Sequence, residues 1–241
     1  MRPLVIIPTY NEKENITAII DTVMALPSGF HLLIVDDNSP DGTQDLVRSA
    51  QDKYGERLHL LGRKGKLGLG TAYIAGFKYG LKEEYTHLFE MDADFSHPPE
   101  KLEELYEACK NGADIAVGSR YIKGGGVKDW SWERVILSKG ASLYVQFITF
   151  MPVKDPTAGF VCYTDRALKS IDLDRIGFVG YAFQIEMKYV FWKLGFRIKE
   201  VPIIFKDREL GTSKMDVSII TEAISGVLKL RKRNIKKYYQ E

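Results

Sequence analysis

Cysteine is scarce in this chain. Cys109 and Cys162 are the only two, and their separation fits no metal-binding spacing. They read as reduced thiols in a cytosolic protein rather than as a bridge or a thiolate metal site. Continuous apolar stretches are equally sparse. None approaches the roughly 20 residues that cross a bilayer, and the opening MRPLVIIPTY is far too short in apolar residues for a secretory leader. A membrane would be met from one side. Charge excess is small too: 34 Lys+Arg against 32 Asp+Glu leave a net +2, which argues against a polycation built for nucleic acid. No internal repeat, low-complexity tract or linker interrupts the chain. What is left is an ordinary globular composition, 45% apolar and 27% charged, long enough at 241 residues for a real core. One domain over 1–241 is the expectation.

The first half alternates two kinds of segment. Leu4–Ile7, 32–37, His59–Leu61, His87–Met91 and 114–120 are short buried-type strands. Between them, Asn15–Leu26, a stretch after NSPDGT capped by Asp41 or Thr43, Ala72–Leu81 and a segment from Pro99 to about Asn111 have helical spacing. Such alternation predicts an α/β fold, a mostly parallel, Rossmann-like sheet with helices on both faces. Ligands then sit beyond the carboxyl ends of the strands. Pro8, Asp36–Asp37, Asp92–Asp94 and Gly118–Arg120 all fall at such ends, so four elements converge on one rim. Further on, the sequence predicts helices over 133–151 and near Gln184–Leu194, strands at Phe160–Tyr163 and Arg197–Phe205, and an amphipathic helix over 216–238 with a basic end.

Asp92-Ala93-Asp94 carries the sharpest chemistry. Two carboxylates side by side repel, and burying either alone is costly. At a strand end they suit one hard cation, Mg2+ or Mn2+, completed by substrate phosphates; the plainer reading is a turn that starts the next helix. GRKGKLGLGTAY (62–73) lacks both the G-K-[ST] of a Walker motif and the third glycine of a dinucleotide loop, and reads as structural. KDRELGTSK (206–214) sets Arg208 and Lys214 around a Gly-Thr-Ser turn: either a solvated loop or one that closes on a diphosphate. In SWERVILSKGASLYVQFITFMP, Arg134 and Ser138 share one helix face while Ile136, Leu143, Phe147 and Phe150 cover another. That second face belongs either to the core or to a lipid interface. The end carries six cations in Lys229–Lys237. It suits an anionic membrane surface, at about 1 kcal/mol per cation, or is simply solvated.

Taken in order, VIIPTYNEKENI, VDDNSPDGT, GLGTAY, MDADFSHPPE, GSRY, DPTAGF and DRELGTSK resemble the family-2 glycosyltransferases over nearly the whole chain. More narrowly they resemble the compact dolichol-phosphate or polyprenyl-phosphate mannosyltransferases. The resemblance implies a GT-A fold with a nucleotide-sugar half, about 1–120, and an acceptor and lid half, about 121–241. It implies inverting transfer of mannose from GDP-mannose to a polyprenyl or dolichyl phosphate on the cytoplasmic face of a membrane, the protein being peripheral there. Whether a separate anchoring subunit exists is left open. Pro8, Tyr10, Glu12 and Asp37 would hold the guanine nucleoside. Asp92, Ala93 and Asp94 match the D-x-D that positions donor and metal. Asp94 and Ser96 would be metal ligands, Ser96 standing where many relatives carry Gln and others Ser. Arg120 matches an arginine near the donor diphosphate and, with Asp92 and Asp94, a catalytic residue. Arg134 and Ser138 match positions that meet the acceptor phosphate; Arg208 and Lys214 match the loop that closes on the donor.

Three other readings differ in class or substrate. One is a family-2 transferase using UDP-glucose or UDP-GlcNAc. Another is an aspartyl phosphatase, whose D-x-D usually lies on an early strand before Thr or Val. The last is a binding subunit that has lost catalysis, against which the intact D-x-D, Arg120, Arg208 and Lys214 speak.

Overall fold

A computed structural model describes residues 1–180, 182–207 and 226–240. Its strands are β1 (Pro3–Thr9), β2 (His31–Asp36), β3 (Leu58–Gly62), β4 (His87–Glu90), β5 (Ile115–Ser119), β6 (Gly126–Lys128), β7 (Val161–Thr164), β8 (Ile198–Pro202) and β9 (Ile204–Lys206). Its α-helices are α1 (Ile16–Met24), α2 (Thr43–Tyr54), α3 (Leu69–Lys82), α4 (Lys101–Lys110), α5 (Trp132–Thr149), α6 (Asp165–Leu168), α7 (Ala182–Lys193) and α8 (Ile235–Gln240). Residues 226–232 are also helical.

Seven strands form one sheet in the order β3-β2-β1-β4-β7-β5-β8. Every pairing is parallel except the two that β7 makes, with β4 and with β5. β1 and β2 are apolar on both faces, as strands covered from both sides must be. Leu4, Ile6, Leu33 and Tyr163 face a core with Tyr73 and Phe77 of α3 and Phe183 and Phe191 of α7. Val5, Ile7, Ile34 and Phe89 face the other, with Ile19 of α1 and Leu105 of α4. Helix α3 lies close on the sheet because Gly76 and Gly80 carry no side chain: a Cβ at either would collide with Ile6 or Leu88.

The antiparallel β7 matters for the site. Its amino end lies where β4 and β5 have their carboxyl ends. The DPTAGF segment before β7 is therefore delivered to the same rim as Asp92 and Arg120.

Two elements depart from expectation. The predicted strand Arg197–Phe205 is two strands. β8 pairs with β5, whereas β9 pairs with β6 in a separate two-stranded ribbon. Pro202 cannot donate to a ladder, and the buried Ile203 bridges the two sheets: its amide donates to Ser119 O and its carbonyl accepts from Gly126 N. The predicted helix 216–238 breaks at 233–234, within its described part. There Arg233 turns inward, donating to Glu186 at 3.1 Å and to the Tyr239 hydroxyl at 2.7 Å, and Tyr239 itself donates to Glu186. Residues 216–225 lie outside the described residues.

Candidate active site

After β4 the chain bends sharply, with Phe95 at φ 59°. The bend is held by its own side chains. Asp94 Oδ1 accepts from the Ser96 amide at 3.1 Å and from its hydroxyl at 2.5 Å. Ser96 is buried, and its hydroxyl steadies the Asp94 carboxylate. The Asp92 amide donates to His97 Nδ1 at 3.1 Å, which places the ring proton of a neutral His97 on Nε2. Burial keeps the His97 pKa low, and its ring stacks on Phe160. The Tyr73 hydroxyl reaches Asp92 at 3.4 Å. Burial, then the Asp92 charge, pushes the Tyr73 pKa up, so this phenol stays protonated.

Beneath this loop lies a buried polar network that sequence reasoning missed. Gln184 donates to Glu90 at 2.7 Å, while Lys188 donates to Ala158 O at 2.6 Å and to the Gln184 carbonyl and side-chain oxygens at 3.1 Å. Burial raises Glu90 to about 8 and lowers Lys188 to about 8, each tempered by the other's charge. No periodicity reveals such a pair, because α7 is buried around its whole circumference.

Arg120 enters from the end of β5. Its Nε and Nη2 grip both oxygens of Asp155 at 2.7 Å, its amide adds 2.9 Å, and Nη2 also reaches Thr157. Burial opposes the Arg120 charge, but Asp155 outweighs it and raises the pKa. Asp155 and Thr157 belong to the DPTAGF segment, one of the stretches that carry the family resemblance.

The opposite wall is α5. Ser131 caps it, accepting from the Arg134 amide. The Arg134 guanidinium lies 4.0 Å from the Trp130 ring centroid, and its Nη1 meets Asp207 at 2.7 Å. Asp207 thus braces Arg134. One turn on, Ser138 accepts from the Tyr121 hydroxyl at 2.6 Å. The second face of α5 is not core: Ile136, Leu143, Phe147 and the C-cap residue Phe150 are 62–76% exposed. Arg231 lies over the Phe150 ring at 4.8 Å, joining this apolar surface to the basic end.

Asp92, Asp94, Ser96, Arg120, Arg134 and Ser138 all line one cavity of about 600 Å3, whose remaining walls are mostly apolar. Pro8, Tyr10, Glu12 and Asp37 do not line it. They occupy the ends of β1 and β2, where Asp37 is gripped by Arg63 at 2.5 and 2.8 Å and Lys66 lies over the Tyr10 ring. Glu12 accepts from Asn15. Ala93 is buried in the core. Arg63, like Lys66, comes from the 62–73 loop, so that loop supplies cations as well as structure. Arg208 and Lys214 lie outside the described residues.

Asp92 and Asp94 both line the cavity, and carboxylate oxygens suit a hard divalent cation. Among the described residues, no three His, Cys, Asp or Glu side chains gather as a metal cage. Two carboxylates suit an ion that completes its coordination with a phosphate-bearing ligand.

Residues 4–176 match the family described as "Glycosyl transferase family 2". Polyprenol monophosphomannose synthase of Mycolicibacterium smegmatis is 47% identical over 92% of this chain and 84% of its own length. Undecaprenyl-phosphate mannosyltransferase of Micrococcus luteus is 45% identical over 94% and 93%. Dolichol-phosphate mannosyltransferase of Pyrococcus furiosus is 35% identical over 96% of this chain and 64% of its own length. Among solved structures, glucosyl-3-phosphoglycerate synthase from Mycobacterium tuberculosis with phosphoglyceric acid superposes with TM-score 0.70 at 17% identity, covering 95% of this chain and 79% of that one. The same enzyme with Mn2+, UDP and glucosyl-3-phosphoglycerate gives 0.67, over 95% and 78%. These two likenesses concern the fold, which is GT-A. No helix among the described residues is long and apolar enough to cross a membrane. The chain is a glycosyltransferase of family 2 and belongs to its polyprenyl-phosphate and dolichol-phosphate mannosyltransferase branch.

Proposed function

We propose that this protein transfers mannose from GDP-mannose to a polyprenyl or dolichyl phosphate with inversion, giving polyprenyl β-mannosyl phosphate and GDP. The observation that carries this reading is the shared cavity. The carboxylate loop stands on one side, Arg134 and Ser138 on the other, with apolar walls around them. A bound Mg2+ or Mn2+ would neutralise the diphosphate and stabilise its departure. Asp94 and Ser96 would hold that ion, and Asp92 would orient the donor. An acceptor phosphate oxygen attacks the anomeric carbon as the bond from that carbon to the diphosphate oxygen breaks. No side chain has to remove a proton, because a phosphate monoester, with a second pKa of about 6, is largely dianionic at neutral pH. Arg134 holds the phosphate by a charged hydrogen bond and Ser138 by a neutral one. Arg120, clamped by Asp155, fixes the floor of the donor side. Pro8, Tyr10, Glu12, Asp37 and Ala93 frame the nucleoside, and Arg208 and Lys214 close over the diphosphate.

The same reading sets the protein against the cytoplasmic face of a membrane. The exposed side of α5 meets the acyl boundary and the basic end meets anionic headgroups, joined through Arg231 and Phe150. The test is turnover with a short polyprenyl phosphate against GDP-mannose, UDP-glucose and UDP-GlcNAc, with and without Mg2+ or Mn2+. Metal-dependent turnover with GDP-mannose is expected. Preference for a UDP sugar would replace the donor assignment, and turnover unaffected by a chelator would remove the metal.

A further inference from the structure

Helical serines and threonines can turn their hydroxyl back to the carbonyl four residues earlier. Three do so here: Thr22 to Ala18 at 2.8 Å, Ser49 to Asp45 at 3.0 Å and Thr149 to Val145 at 2.6 Å. Among the described residues, Ser142 of α5 finds no partner and Ser138 bonds elsewhere. Its oxygen accepts from the Tyr121 hydroxyl at 2.6 Å instead, and the side chain lines the cavity. Tyr121 comes from the loop after β5, directly behind Arg120. Its ring is held between two cations, Arg120 at 5.1 Å and Lys139 at 5.9 Å from the centroid, and its amide donates to Ser119 Oγ at 3.4 Å.

We propose that Tyr121 is a positioning residue for the acceptor phosphate. It donates its phenolic proton to Ser138 Oγ and so directs Ser138's own proton into the cavity. The inference rests on the reading of Arg134 and Ser138 as the acceptor wall. A hydroxyl carries one proton and two lone pairs. Once Tyr121 fills a lone pair of Ser138, the serine proton has two destinations, the carbonyl of its own helix or an anion in the cavity. The first is not taken, and a phosphate is the stronger acceptor. A hydroxyl that accepts a hydrogen bond is also polarised into a better donor. Tyr121 thereby ties the loop after β5, which carries Arg120, to the helix that faces the lipid phosphate.

Tyr121→Phe keeps the ring and both cation contacts and removes only the donor. In steady-state kinetics with GDP-mannose, Mg2+ and a short polyprenyl phosphate, the acceptor KM should rise about three- to tenfold, the worth of one neutral hydrogen bond. The donor KM and the melting temperature should stay at wild-type values. Ser138→Ala should raise the acceptor KM at least as much. The double variant should match Ser138→Ala alone, because Tyr121 acts only through Ser138. Ser138→Thr, which keeps a hydroxyl, should regain sensitivity to Tyr121→Phe. Wild-type acceptor KM in Tyr121→Phe, a parallel rise in donor KM, or an additive double variant would overturn the role of Tyr121 while leaving the acceptor wall intact. An unchanged acceptor KM in Ser138→Ala would overturn both.

Discussion

Two arginines face the same cavity and could hardly be held more differently. Arg120 is buried, and every described hydrogen bond of its guanidinium goes to Asp155 or Thr157. Arg134 is about a third exposed, stacks on Trp130 and meets Asp207, itself about a third exposed, through one nitrogen. A buried bidentate pair of this kind fixes a loop and exchanges poorly, because either partner left alone is a charge without solvent. A partly exposed monodentate pair is worth little and exchanges readily. The same residue type thus frames one side of the site and stands ready to trade partners on the other. On the proposed function, that difference suits a donor that must be aimed and an acceptor head that arrives from a membrane.

The largest effect should come from breaking the rigid side. Asp155→Asn removes the charge that keeps Arg120 compensated. It should lower unfolding free energy by about 3–5 kcal/mol, the usual consequence of stranding a buried ion. Urea denaturation measures this, and a loss below 1 kcal/mol would mean that the pair is not structural. Next, Asp94→Asn should leave the urea midpoint unchanged yet lower kcat by about 100-fold or more, as when a group aimed at developing charge is removed. Full activity in that variant would take Asp94 out of the chemistry. On the other wall, Arg134→Ala should weaken acceptor use by about 1.5–3 kcal/mol, a charged hydrogen bond's worth. Donor affinity by calorimetry should be nearly intact; if donor binding falls in step, Arg134 belongs to the donor side.

Acid should separate the two walls more gently. All four histidines, His31, His59, His87 and His97, lie on β2, β3, β4 or the carboxylate loop, and burial lowers the pKa of each. Helix α5 has none. A folded-state pKa below the unfolded value of about 6.5 means that the unfolded chain binds more protons in that window, so stability falls as pH drops through it. Glu90 works in the opposite sense between 4.5 and about 8, because burial keeps it protonated in the fold. Four groups against one predict a lower melting temperature at pH 5.5 than at pH 7. A higher one would mean that Glu90 outweighs the histidines.

Much of the rigid side was legible in the sequence, and the reason is physical. β1, β2, β4 and β5 are covered on both faces, so they read as short apolar runs whatever their neighbours are, and parallel order puts their carboxyl ends on one rim. The place of Asp92, Asp94 and Arg120 on that rim followed from it, whereas their roles came only with the family resemblance. Their partners did not. Asp155 lies 35 residues beyond Arg120 and Arg63 lies 26 beyond Asp37, and nothing local says that these charges meet. The antiparallel insertion of β7 brings Asp155 in, and insertion order is a property of the sheet rather than of any segment. The β6–β9 ribbon was invisible for a related reason: three residues pair with three others some 80 positions away. Helix α5 was readable as a helix with two faces, but the outer one became distinguishable from core only once Ile136, Leu143, Phe147 and Phe150 were seen to be uncovered.

The smallest effect belongs to Asp207, and it is the one that decides whether the flexible side works by exchange. Asp207 presents a carboxylate to Arg134 at 2.7 Å, where an acceptor phosphate would also bind. If the two anions compete, the carboxylate lowers apparent acceptor affinity by the worth of the pair it forms. For a pair this exposed, that is at most about 1 kcal/mol, or up to about fivefold. Asp207→Asn keeps the shape and removes the charge, so acceptor KM should fall by a factor within that range. Stability should change by less than about 1 kcal/mol, against the several expected for Asp155→Asn. The gain should shrink with added salt, which screens the pair the wild type must break. It should vanish in an Arg134→Ala background, where there is no cation to compete for. An acceptor KM that rises in Asp207→Asn would show that the carboxylate holds Arg134 in place for the phosphate instead of standing in its way. The two arginines would then differ in exposure but not in kind.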